Sequence, residues 1–315
     1  MRYIETLRDG MRVSDVYLCK TKSIAITKNG KEYGNVVLQD KTGQIECKIW
    51  DLGNPGISEF EPLDYVHVDG NITVFNNANQ LNIQRIRPVG EGQYDPSDYF
   101  PVTSKNIPDM ISKVRKLVSD IKNEHLKALL SLFFMDEDFM KRFSQHSAAK
   151  SVHHGYIGGL LEHTLSVAEL CLMCAQHYPF VNKDLLISGA LLHDIGKTSE
   201  LSAFPYNDYT DDGQLLGHIV IGTAMIEEKL RQLPEFPQKL RAELIHMILS
   251  HHGELEFGSP KKPALMEALI LSFADNMDAK VETMYEALEA KPAQNSDGWI
   301  GYQKLLDSNI RKTSI

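Results

Sequence analysis

The chain has 315 residues, of which 43% are hydrophobic and 24% are charged, as in ordinary globular proteins. This composition excludes a wholly disordered or collagen-like chain, and the length predicts two domains. The net charge of −9 excludes nucleic-acid binding through bulk positive charge, so any such binding must be local.

The first predicted element is an all-β region over residues 1–89, which carries 11 basic and 11 acidic side chains. Alternating apolar residues and Gly- or Asn-containing turns indicate five strands: one near 16–27, then the hairpins 35–40 with 44–50 and 65–75 with 80–87. Five strands in under 90 residues are typical of an OB-type Greek-key barrel.

Four regions are expected after the barrel: a linker (90–105), a helical connector (106–150), an all-α domain (151–290) and a C-terminal tail (291–315). The linker is rich in Pro, Gly and Asp, and from residue 106 apolar residues recur at helical spacing. The tail is expected to end in a short helical stretch after Trp299 and Tyr302. The predicted fold is therefore multidomain, with an N-terminal all-β barrel and a C-terminal all-α domain.

The four cysteines are too few for a disulfide framework in a chain of this length. The N-terminus lacks the apolar segment of a signal peptide, and no apolar run reaches the ~18 residues of a membrane span. The sequence therefore predicts a cytoplasmic protein without a membrane partner.

Histidine and aspartate residues interrupt the apolar helices of the all-α domain. Each lies on or at the end of an apolar helical run: His163, His193, Asp194, His218, His251, His252 and Asp275. Burying so many ionisable groups costs several kcal/mol apiece unless they are paired or ligated, and a metal offsets that cost for all of them. Imidazole with carboxylate suits Mn, Fe, Co, Ni or Zn, and one aspartate with two oxygens can bridge two ions.

The order of these residues, and the segment Gly-Ala-Leu-Leu-His-Asp-Ile-Gly-Lys over 189–197, resemble the HD phosphohydrolase superfamily. The resemblance implies a dinuclear centre, in which Asp194 bridges the ions and His252 either completes the second or touches substrate. The implied ligands of the first ion are His163, His193, Asp194 and Asp275, and those of the second are Asp194, His218 and His251.

Asp194 and Lys197 are the catalytic residues that the resemblance implies, with Lys197 contacting the scissile phosphate. Asp278 follows Asp275 by one helical turn and is interpreted either as support for the site or as an exposed acid. His153 and His154 either reach phosphate or have a capping or surface role.

The OB-type barrel offers residues for single-stranded nucleic acid, which such folds bind by base stacking and backbone charge. The aromatic candidates are Tyr33, Trp50 and Phe75, and the basic candidates are Lys28, Lys31, Lys48, Arg85 and Arg87. Each aromatic residue has an alternative role in the barrel core.

The whole chain resembles the YhaM family of bacterial 3′-to-5′ exoribonucleases, most clearly over residues 148–164. That family joins an OB-fold domain to an HD domain, which implies single-stranded RNA, and also single-stranded DNA, as partners. It implies two divalent ions, Mn²⁺ first, with Co²⁺, Fe²⁺ and Ni²⁺ as alternatives. A hydroxide bridging the ions would attack the 3′-terminal phosphodiester and release nucleoside 5′-monophosphates.

Two other functions stay open at this point. One is a phosphohydrolase of nucleotides or cyclic dinucleotides, against which the OB-type barrel argues. The other is a replication factor that binds single-stranded nucleic acid, against which the complete set of metal ligands argues. The choice between a monomer and a homo-oligomer is also open.

Overall fold

The computed structural model describes residues 1–27, 29–76, 78–150, 154–290 and 298–314. The chain forms two compact units, Met1–Pro101 and Val102–Ile315. None of the helices in the described part of the chain is both long enough and apolar enough to cross a membrane.

The first unit is a closed five-stranded barrel, as predicted. Its strands are β1 (Arg12–Ile26), β2 (Glu32–Asp40), β3 (Gly43–Ile49), β4 (Tyr65–Phe75) and β5 (Ala78–Pro88). They close in the order β1-β2-β3-β5-β4, and the β3–β5 pair is parallel while the others are antiparallel. The last strand begins two residues before its predicted start, because Asn79 pairs with Val74 of β4.

Strand alternation explains the barrel core. Along β2, buried Val36 and Leu38 alternate with more exposed neighbours, because successive side chains of a strand point to opposite faces. Part of the region predicted as a linker packs on this barrel. Tyr94 stacks on Tyr65 with ring centroids 3.6 Å apart, and the buried Tyr99 donates a hydrogen bond to the carbonyl of Val16 at 3.2 Å.

The second unit is helical over most of its described length. Its helices are α1 (Ile107–Asp120), α2 (Glu124–Phe134), α3 (Glu137–Gln145), α4 (Gly159–His177), α5 (Lys183–Leu192), α6 (Lys197–Glu200), α7 (Asp211–Leu215), α8 (Gly217–Leu230), α9 (Gln238–Ser250) and α10 (Met266–Ala290). One continuous apolar core runs from α1 to α10 and includes the stacked rings of Phe139 and Phe143. The side chains of Asn106, Asn123 and Asn182 accept hydrogen bonds from the first turns of α1, α2 and α5 and so fix where these helices begin.

The prediction of a short helix at the end of the tail is wrong. Strands β6 (Trp299–Gln303) and β7 (Ser308–Arg311) form a two-stranded sheet instead. The chain reverses through one 3-10 turn and Asp307, whose φ of 47° is left-handed and stops a helix. Ile300 and Ile310 are buried, which supplies the apolar contact that holds the sheet.

Candidate metal centre and nucleic-acid face

The metal-ligand candidates come from five helices, and close backbone packing brings these helices together. At Gly159, which begins α4, a Cβ atom would lie 2.0 Å from the carbonyl oxygen of His154. At Gly196 a Cβ atom would lie 2.0 Å from the carbonyl oxygen of His218, so only glycine lets α8 approach this closely. The glycines of the sequence motif therefore set the spacing of the site.

One half of the centre gathers four predicted ligands. Nε2 of His163 lies 3.2 Å from Oδ1 of Asp275 and 3.3 Å from Nε2 of His193. Oδ2 of Asp194 lies 3.4 Å from Nε2 of His193 and 3.5 Å from Nε2 of His163. The structure thus brings together the ligand set that the resemblance implied for the first ion.

The other half of the centre is formed by histidines that surround the second carboxylate oxygen of Asp194. Oδ1 of Asp194 is 3.5 Å from Nε2 of His218 and 3.8 Å from Nε2 of His251. His252 joins this group, with its ring centroid 4.4 Å from that of His251 and 5.1 Å from that of His218. Because one carboxylate oxygen of Asp194 faces each half, this residue has the geometry of a bridging ligand.

The Nδ1 atoms of the histidines point away from the centre and are occupied. Three of them donate to backbone carbonyls: His193 to Ala190 (2.8 Å), His251 to Ile248 (2.7 Å) and His252 to Phe257 (2.8 Å). A carbonyl has no proton to give, so the proton of each neutral ring lies on Nδ1. The lone pair of each Nε2 is therefore free to bind a cation.

Two further histidines are held by carboxylates. Nδ1 of His163 donates to Oδ2 of Asp278 at 2.7 Å, and Nδ1 of His218 donates to Oε1 of Glu200 at 3.0 Å. Asp278 is therefore not an exposed acid, and its carboxylate lies behind the ring of His163. Sequence reasoning missed Glu200, whose only signal is a carboxylate three residues after Lys197.

The donor set fits a divalent ion. Oδ1 of Asp194, Nε2 of His218 and Nε2 of His251 are buried and have no hydrogen-bond partner among the described residues. Buried polar atoms without partners cost roughly 1–3 kcal/mol each, and here all three are lone-pair acceptors that face one another. A cation satisfies all three at once, and a mixed imidazole and carboxylate set suits Mn²⁺, Fe²⁺, Co²⁺ or Zn²⁺.

The charge states of His251 and Asp194 also suit metal binding. Burial holds the pKa of His251 well below its usual range, so this ring stays neutral and its lone pair stays available. Burial alone would raise the pKa of Asp194, but the ammonium of Lys197 and the ring of His193 favour the carboxylate and hold the pKa well below its usual value. Asp194 is thus ionised.

Lys197 lies at the bridging carboxylate, with Nζ 2.7 Å from Oδ2 of Asp194. Burial lowers the pKa of this amine, and the charge of Asp194 outweighs burial and raises it, so Lys197 is charged. Its side chain is 14% exposed.

His154 is buried beside the first half of the centre and is not a surface residue. Its Nε2 lies 3.2 Å from Oδ2 of Asp278, and its Nδ1 lies 2.9 Å from the hydroxyl of Tyr156. Tyr156 in turn donates to Glu162 at 3.1 Å. His153 lies outside the described residues.

The barrel presents an aromatic face on β2 and β3. The rings of Tyr33 and Trp50 are stacked with centroids 5.1 Å apart, and Nζ of Lys48 lies 5.6 Å from the ring centre of Tyr33. Trp50 is 48% exposed, and its indole N–H donates to Asn82 at 2.7 Å. The side chain of Asn82 in turn donates a hydrogen bond to the hydroxyl of Thr73 at 2.8 Å. These two hydrogen bonds fix the tryptophan ring, and sequence reasoning did not identify Asn82 or Thr73.

The other candidates for nucleic-acid binding do not all lie on this aromatic face. Phe75 is 62% exposed and lies two residues beyond Thr73 on β4, hence on the same side of that strand. Arg85 and Arg87 are exposed but follow a bulge in β5. In the strand register they lie opposite Asp69 and His67 of β4. Lys31 is exposed just before β2, and Lys28 lies outside the described residues.

The barrel and the ligand cluster together define a class of protein, an OB-fold domain joined to a helical HD-type metal-binding domain. A family profile described as HD domain matches residues 160–280, and one described as OB-fold nucleic acid binding domain matches residues 12–89.

Curated relatives match almost the whole chain. The protein named 3′-5′ exoribonuclease YhaM of Geobacillus sp. (strain WCH70) is 37% identical over 283 residues, which cover 89% of this chain and 86% of the relative. The proteins of that name from Bacillus licheniformis and Bacillus subtilis (strain 168) are 36% and 35% identical, each over 91% of both chains. The chain belongs to this YhaM family, as the sequence resemblance implied.

Proposed function

We propose that the protein is a divalent-metal-dependent 3′-to-5′ exoribonuclease that shortens single-stranded RNA, and also single-stranded DNA, to nucleoside 5′-monophosphates. The observation that carries the proposal is the placement of Asp194, whose two oxygens face two groups of histidines. The aromatic face of the barrel and the exoribonuclease activity for which the relatives are named support the substrate class.

In the proposed centre, the first ion is held by His163, His193, Asp194 and Asp275, and the second by Asp194, His218, His251 and His252. Two bound ions, Mn²⁺ first, would supply an activated water at neutral pH and neutralise phosphate charge. The backbone carbonyls and carboxylates behind the rings keep each Nε2 lone pair aimed inward. Lys197 contributes a positive charge to the phosphate as negative charge develops in the transition state.

The first experiment incubates the purified protein with a 5′-labelled single-stranded RNA in Mn²⁺ and in EDTA. We expect a ladder that shortens from the 3′ end in Mn²⁺ and intact RNA in EDTA. The same RNA labelled at its 3′ end should release labelled nucleoside 5′-monophosphate in the first turnover. Intact RNA in Mn²⁺, together with hydrolysis of free nucleotides, would contradict the proposal and favour a small-molecule phosphohydrolase.

Replacing Trp50 by alanine should weaken binding of single-stranded RNA, because base stacking on an aromatic ring contributes about 1–3 kcal/mol, or roughly 5- to 150-fold in Kd. The measurement is fluorescence anisotropy of a labelled oligonucleotide in EDTA, which prevents cleavage. Trp299→Ala is the matched control, because Trp299 is the second of the two tryptophans and is 45% exposed. Equal losses in both variants, or none in Trp50→Ala, would remove Trp50 from the binding face.

A further inference from the structure

Each half of the metal centre has one carboxylate that faces the back of a histidine ring. In one half, Asp278 accepts the Nδ1 proton of His163 at 2.7 Å. In the other half, Glu200 accepts the Nδ1 proton of His218 at 3.0 Å and also its backbone N–H at 2.9 Å. The other histidines of the cluster, His193, His251 and His252, donate to uncharged backbone carbonyls. Among the described residues, one carboxylate per half therefore accepts an Nδ1 proton.

Asp278 is held in this position by its own neighbours. Its side chain is 12% exposed, its Oδ1 accepts from the hydroxyl of Ser166, and its Oδ2 lies 3.2 Å from Nε2 of His154. Oδ2 of Asp278 contacts Nδ1 of His163, whereas the candidate ligands lie near Nε2, on the opposite side of the same ring. Asp278 therefore supports the ligand and does not belong to the ligand set.

Glu200 is fixed in a comparable way at the end of α6. Its side chain is 12% exposed, and its carbonyl accepts a hydrogen bond from the backbone N–H of Thr210 at 2.9 Å. The chain packs so closely here that a Cβ atom at Gly213 would lie 2.1 Å from that carbonyl oxygen. The tightly packed backbone consequently holds the carboxylate of Glu200 in place beside His218.

We propose that Asp278 and Glu200 are positioning residues that set the metal affinity of the two halves separately, Asp278 through His163 and Glu200 through His218. A carboxylate behind a ligating histidine fixes the tautomer, orients the ring and makes Nε2 more basic, and its loss typically weakens metal binding by 10- to 100-fold. A backbone carbonyl also fixes the tautomer but carries no full charge. This inference rests on the dinuclear centre proposed above.

The test measures binding of Mn²⁺ alone to the metal-free full chain, with free Mn²⁺ followed by electron paramagnetic resonance. In a His218→Ala background, only the half of the centre that contains His163 is intact. There, Asp278→Asn should weaken binding of the remaining Mn²⁺ ion by roughly 10- to 100-fold. Glu228→Gln in that background is the matched control and should change nothing, because Glu228 is an exposed glutamate of α8. Glu200→Gln should weaken the ion less than Asp278→Asn does, because the ring that Glu200 supports is absent. In a His163→Ala background the two effects should be reversed.

Ser166→Ala is a milder second variant, because it removes one donor to Asp278 and leaves the carboxylate in place. It should weaken the ion of the His163 half by less than Asp278→Asn does, and circular dichroism should show the native fold. Affinities within twofold of the parent in both backgrounds would overturn the proposal, as would equal losses in both. Failure of the wild-type chain to bind Mn²⁺ would instead contradict the metal centre of the proposed function.

Discussion

Asp194→Asn is expected to lose both ions and to reduce exonuclease turnover to background. Asparagine keeps the volume of the side chain but replaces one carboxylate oxygen with an amide N–H₂. Each oxygen of Asp194 faces one half of the centre, so this one change removes a ligand from one half and negative charge from both. Metal content measured by mass spectrometry and release of nucleotides from RNA check the two expectations separately.

Thermal unfolding gives a third readout of the same substitution. A ligand at about 100 times its Kd stabilises the native state by roughly 2.7 kcal/mol, which raises Tm by about 5–10 °C in a unit of this size. We expect Mn²⁺ to raise the Tm of the wild-type protein and of Asp120→Asn, an exposed position at the end of α1, but not that of Asp194→Asn. Full turnover by Asp194→Asn would refute the metal centre.

Lys197→Met is expected to keep the ions and lose catalysis. Methionine retains most of the aliphatic length but has no charge, and removal of one group that stabilises transition-state charge typically lowers kcat by 10²- to 10³-fold, or about 2.7–4 kcal/mol. The Tm increase with Mn²⁺ should persist, because Lys197 approaches Asp194 as a neighbouring cation and not as a ligand. The measurement is kcat on RNA at saturating Mn²⁺.

The matched control for Lys197→Met is Lys183→Met, an exposed lysine at the start of α5 in the same unit. It should match the wild-type protein in kcat and in metal content. An unchanged kcat in Lys197→Met would exclude the ammonium from the reaction. A loss of ions would show that Lys197 acts by holding Asp194 in place.

The side chains that form the candidate metal centre could be predicted because each one interrupts or ends an apolar helix, where an unpaired histidine or aspartate is costly. Which half each of them joins was implied by the HD resemblance and not by their spacing. The positions of Glu200 and Asp278 behind histidine rings could not be predicted in this way. They depend on how α6 packs against α8 and on how α10 packs against α4. Local sequence carries no record of that packing.

The barrel shows the same division between local and tertiary information. Alternation along β2 and β3 predicted the strands, and the use of aromatic residues by OB-type barrels suggested Tyr33 and Trp50 as candidates. Asn82 on β5 was missed, because its contact with Trp50 depends on the parallel β3–β5 pairing that closes the barrel. The tail was misjudged for a related reason, since the burial of Ile300 and Ile310 comes from contacts outside their own short strands.

Gly196 acts as a spacer through the side chain that it lacks. A methyl group there would meet the carbonyl of His218 at 2.0 Å, below any contact that real Cβ atoms show, so α8 would have to retreat by about 1 Å. His218, on α8, would move away from Asp194 and from the other half. A misplacement of that size can cost on the order of 10²-fold in rate. The distance between the two halves of the centre therefore depends on the hydrogen atom that Gly196 has in place of a Cβ atom. A change in that distance alone could impair the site while every candidate ligand and every charge is retained.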